Sequence, residues 1–127
     1  MANPNIVSVS AIYGNTSTLL ISSTADPFAT ALVSNAASSG KVYKINSIVA
    51  ANVDGTSAAD ITIKIFSAAA LGGTGTQIAS TISVPADASL IVTDKTTSFY
   101  LLEDRSIGAT ASAANDIVVT CSWEEIN

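Results

Sequence analysis

No stretch of this chain sustains the 3.6-residue apolar rhythm of an amphipathic helix, whereas two-residue alternation recurs along its length. In "DITIKIF", Ile61, Ile63 and Ile65 alternate with Thr62 and Lys64. In "DIVVTCSWEE", Ile117, Val119, Cys121 and Trp123 alternate with Val118, Thr120, Ser122 and Glu124. In "YKINSIVAANV", the spacing assigns Tyr43, Ile45, Val49, Ala51 and Val53 to one face and Lys44, Asn46 and Asn52 to the other. Successive side chains of a strand point to opposite faces, so these segments are half-buried strands. Weaker strand patterns occupy residues 6–12, 17–23, 29–34, 76–84, 89–93, 98–102 and 106–111. The Ala-rich pieces "SNAASSG" and "SAAALGG" are too short and too close to glycine to hold helices.

Turn signals separate these strands: Gly14-Asn15, Asp26-Pro27, Ser39-Gly40, Asp54-Gly55, Gly72-Gly73, Pro85-Ala86-Asp87, Asp94-Lys95, Asp104-Arg105 and Asn115-Asp116. Many short strands with frequent turns predict an all-β chain, an antiparallel two-sheet β-sandwich of jelly-roll type, with a closed barrel as the structural alternative. The 127 residues fit one domain, residues 1–127, in which residues 1–10 form an N-terminal arm or an edge strand. With three Phe, three Tyr and one Trp, the core must be built mainly from Ile, Val and Ala. Asp54-Gly55 reads as a hairpin turn with Gly55 at positive φ. "GTSAAD" then forms an exposed tip, and "ALGGTGTQ" a second, flexible one.

The chain holds no histidine and a single cysteine, Cys121, which removes Ser-His-Asp and Cys-His catalysis, thiolate metal clusters and internal disulfides. Cys121 reads as a small apolar residue on a core strand. The adjacent pairs Glu103-Asp104 and Glu124-Glu125 would point to opposite faces of a strand, so neither converges on a substrate as paired carboxylates must. "NVDGTSAAD" departs from the calcium-loop pattern, and "GGTGT" lacks the lysine of a phosphate-binding loop. No enzyme activity, cofactor or metal is expected. The net charge is −5 with five cations, leaving no basic stripe for nucleic acid. No apolar run approaches the ~20 residues of a membrane span, and the first residues lack a signal-peptide pattern. Charged residues make up 12 % of the chain, about half the usual fraction, with Ser, Thr and Asn in their place. Such a surface is cheaper to desolvate against neighbouring subunits than one of Lys and Glu.

The ordered segments "YKINSIVAANVDGTSAADITI", "VPADASLIVTDK", "YLLEDRSIGATASAANDIVV" and "SWEEI", spanning roughly residues 40–126, resemble a family of small virion proteins of tailed bacteriophages, seen especially in phages of marine bacteria and cyanobacteria. The chain departs from that pattern at Asp104-Arg105, where an acidic, Gly-containing turn is usual. The resemblance implies a structural component of the particle, located in the virion. The first reading of its station is a capsid decoration or cement protein that binds the phage major capsid protein and itself, as a homo-oligomer and by preference a trimer. A tail, neck or fibre station is the alternative, and a carbohydrate- or receptor-binding sandwich using Tyr13, Phe28 or Tyr100 stands as a reading from another class. The segments expected to touch partners are the N-terminal Asn3, Pro4 and Asn5 and the turn Asp54, Gly55, Thr56 and Ser57.

Overall fold

The computed structural model describes Pro4, residues 6–22, Thr24 and residues 30–127. Nine strands follow in order: β1 (Ile12–Leu20), β2 (Ala31–Asn35), β3 (Val42–Asn52), β4 (Ala59–Phe66), β5 (Gly75–Val84), β6 (Ser89–Thr93), β7 (Phe99–Leu101), β8 (Arg105–Ala111) and β9 (Ile117–Ile126). A 3-10 turn at Lys95–Thr97, capped by the Asp94 side chain, separates β6 from β7. All pairings are antiparallel. One sheet has the order β1-β9-β3-β6, with β7 beside β6 on the same edge of β3; the other has the order β2-β8-β4-β5. With β6 and β7 taken as two halves of one strand, two four-strand layers exchange the chain between them in the jelly-roll pattern. The expected all-β sandwich is therefore the observed fold.

The core lies between the sheets and is aliphatic. Ile45, Ile48, Ile61, Ile63, Ile107 and Ile117 are fully buried, with Ala50, Ala59, Ala109 and Ala111 filling the gaps. Each isoleucine contributes about 2 kcal/mol of burial, and the alanines let the sheets approach closely. Ile117, Val119 and Cys121 share the buried face of β9, as the alternation predicted.

Four expectations are corrected. The face assignment of β3 holds through Ile45 and then inverts. The register against β9 shifts between Ile45 and Ser47, a bulge at Asn46, so Ile48, Ala50 and Asn52 point inward while Val49 and Ala51 face out and Val53 is exposed. One extra residue flips every later side chain of a strand. Gly14-Asn15 is no turn, because β1 runs unbroken through it against β9. Residues 6–11 carry no strand; the first strand begins at Ile12. Asp54-Gly55 makes no hairpin, since β3 and β4 belong to different sheets, and Gly55 is not among the positive-φ residues.

Candidate partner-binding surfaces

The corner that replaces the expected hairpin is organised by Asn52, a buried amide at the end of β3. Its Nδ2 donates to Ser57 O and to Val84 O, both at 2.9 Å, and its Oδ1 accepts from Asp54 N at 2.9 Å. Asp54 Oδ1 in turn accepts from Thr56 N at 3.0 Å and Thr56 Oγ1 at 2.9 Å. The half-buried Asp54 is thus occupied in shaping its own turn, and Gly55, Thr56 and Ser57 are left exposed around it. The neighbouring loops 85–88 and 112–116 add Asp87 and Asp116, and no Lys or Arg occurs in these loops or in 53–58. Pro4 is half-buried, whereas Asn3 and Asn5 lie outside the described residues, as does Phe28.

At the opposite end, the buried Asn35 of β2 performs the matching task. Its Nδ2 donates to Lys41 O at 3.0 Å and to Leu101 O of β7 at 3.3 Å, while Ser39 Oγ donates to its Oδ1 at 2.6 Å. One asparagine from each sheet therefore hydrogen-bonds to the other sheet. The 67–74 loop is pinned in place of being a free tip. Ala69 N donates to Asp104 Oδ1, Ala70 N to Ser34 Oγ, Leu71 N to Ser106 Oγ, and Arg105 Nη1 to Ser67 O.

The outer face of the β1-β9-β3-β6 sheet is graded. Cross-strand rows Leu20–Val118–Ala51 and Thr18–Thr120–Val49–Ile91 are uncharged, with Ile91 63 % and Leu20 47 % exposed. Two rows on, Gly14–Glu124–Lys44–Tyr100 carries the charge. On the inner side of this sheet Tyr43 stacks on Trp123, ring centroids 5.9 Å apart. Burial and a hydrogen bond with Glu125 push the Tyr43 hydroxyl up to about 12, and burial alone pushes the Cys121 thiol up to about 12. Tyr13 and Tyr100 lie at opposite edges of the sheet, on β1 and β7, so they form no shared aromatic platform.

Sheet edges are the remaining surface, and three of the four are interrupted. β2 has five residues and a register shift between Ala31 and Val33. β5 carries two extra residues relative to β4, with Thr81 at φ 48° turning its N–H onto Thr62 Oγ1 at 3.0 Å. The β6/β7 edge is broken by the 3-10 turn. β1 alone is long and flat among the described strands, in register with β9 at nine consecutive pairs. Ala11 and Asn127 exchange both backbone bonds, and Ile21 N donates to Ile117 O. The antiparallel ladder alternates, so odd-numbered residues of β1 bond to β9, and Ile12, Gly14, Thr16, Thr18 and Leu20 aim their N–H and C=O groups outward. Sequence reasoning missed this edge, because openness depends on what the topology places beside a strand.

Among the described residues, no group of three or more His, Cys, Asp or Glu is placed to hold a metal ion, and no helix is long and apolar enough to cross a membrane. No protein-family model matches this chain, and no curated protein matches it.

Proposed function

We propose that this chain is a non-enzymatic structural protein of a bacteriophage particle, a decoration protein that seats on the outer head lattice and ties neighbouring major capsid subunits together. The observation that carries the reading is the uncharged end of the outer face of the β1-β9-β3-β6 sheet, where Leu20, Val49, Ala51, Val118 and Ile91 form a patch free of Lys, Arg, Asp and Glu. A patch of that kind is covered by a protein neighbour at little desolvation cost. The ordered resemblance over roughly residues 40–126 supports the same direction. The jelly roll alone does not choose, since it serves capsid and lectin domains alike.

Repetition supplies the affinity. Each seat contributes modest contacts, and copies that touch one another as well as the lattice are retained far more strongly than one seat would allow. Quantitative mass spectrometry of purified particles tests the assignment. Near-stoichiometric amounts relative to the major capsid protein sustain decoration. A small fraction of that amount assigns the chain to the neck, tail or fibre, and absence from the particle overturns a virion role.

A further inference from the structure

We propose that β1 is a homodimerisation edge: two copies of the chain pair β1 to β1, antiparallel about a two-fold axis through Thr16, and fuse their sheets into one continuous sheet. Whether the chain decorates a capsid is a separate matter, because this inference rests on the edge alone.

The backbone supplies the first argument. A long, flat strand that offers an unpaired row of N–H and C=O groups is a template for another strand, and the other three edges are short, bulged or broken. With Thr16 on the axis, the facing pairs are Thr16 with Thr16, Gly14 with Thr18 and Ile12 with Leu20. All are even-numbered, the residues whose polar groups point outward, so each facing pair exchanges two hydrogen bonds.

Side-chain order supplies the second. β1 reads large, large, five small, large, large: Ile12 and Tyr13, then Gly14 to Thr18, then Leu19 and Leu20. Ile12 is 54 % exposed and Tyr13 58 %. Antiparallel self-pairing sets Ile12 beside the second copy's Leu20 and Tyr13 beside its Leu19, with small residues crossing at the centre. A palindromic order of this kind matches a second copy of itself, whereas an unrelated strand has no reason to share its symmetry.

Charge permits the contact. The net charge of −5 opposes association in general, yet β1 carries no charged residue. The acids on the strand beside it, Glu124 and Glu125, sit one strand inward on β9. Across the pair they are three strand spacings apart or more, about 14 Å, beyond the screening length of roughly 8 Å at physiological salt. An isologous contact of this type closes at two copies, so it differs from the trimer expected of the decoration reading.

Light scattering of the full chain over a range of concentrations should give twice the 12.8 kDa chain mass. Thr16→Pro should return it to the single-chain mass with an unchanged circular dichroism spectrum, because the Thr16 N–H points away from β9 and serves no bond in the ladder among the described residues. Should that variant fail to fold, Thr16→Cys treated with a short bis-maleimide should cross-link to a dimer. Cys121 is buried, and Ser80→Cys on the bulged β5 should stay uncross-linked. A single-chain mass at every concentration, a three-chain mass, or cross-linking at Ser80→Cys in place of Thr16→Cys overturns the proposal.

Discussion

β1 and β5 are both edge strands, nine and ten residues long, and both lack charged side chains, yet they treat their outer backbone in opposite ways. β5 carries two extra residues relative to β4, and one of them brings the β-branched Thr81 into left-handed space, where its N–H turns inward to Thr62. β1 keeps perfect two-residue alternation and leaves its outward groups in a straight row. Edges are commonly blunted with lysine or proline; here the difference lies in backbone geometry alone. A chain with so few charges guards one edge by bulging it and leaves the other in pairing form.

Proline placed at neighbouring positions of β1 tests the contrast most severely. Ser17→Pro removes an N–H that bonds to β9 and should cost about 3 kcal/mol, read as a large fall in Tm. Thr16→Pro removes an outward N–H and should cost the single chain about 1 kcal/mol or less. Equal losses at the two positions would mean that β1 is not the edge described. Asn52→Ala comes next, at about 2–3 kcal/mol, because it strips partners from Val84 O at the end of β5, Ser57 O and Asp54 N. Amide exchange should rise at the end of β5 and stay unchanged in β1. Thr62→Val should cost about 1 kcal/mol by freeing the Thr81 N–H, and an increase in cross-linking at Ser80→Cys in that background would show the guard being lifted.

The smallest expected effect is alkaline. Tyr43 and Cys121, on the sheet that contains β1, both have folded values raised to about 12, from 10 and 9. Between those limits the folded chain holds protons that the unfolded chain has released, so stability is full below about pH 9 and declines as pH rises toward 12. Cys121→Ala should remove the part of the decline that begins near pH 9. A Tm that rises over this range would reverse the burial assigned to both groups.

Much of the architecture is legible in the sequence where alternation is uninterrupted. β8 and β9 fall where the pattern predicts, because no inserted residue disturbs their faces and turn residues flank them; β5 and β6 occupy the predicted spans although each carries inserted residues. β3 misleads past Asn46, since a single bulge residue inverts inside and outside without a compositional mark. Gly14-Asn15 carries a strong turn signal that pairing with β9 overrides. Asp54-Gly55 does mark a change of direction, but between sheets, and the residue that builds the corner is Asn52, which the pattern placed on the polar face. Asn35 and Asn52 look like surface residues in one dimension; only the fold shows that each reaches across to the opposite sheet. Of the "GTSAAD" tip, Gly55, Thr56 and Ser57 are exposed as expected, while Ala59 is buried at the start of β4; the β1 edge has no signature of its own.

The most direct measurement is residue-resolved amide exchange of the unmodified chain at high and low concentration. Two-fold pairing through β1 predicts that Asn15, Ser17 and Leu19 are protected at both, while Gly14, Thr16 and Thr18 are protected only when the chain is concentrated. If Gly14, Thr16 and Thr18 exchange at the rate of free amides at every concentration, β1 carries no second copy.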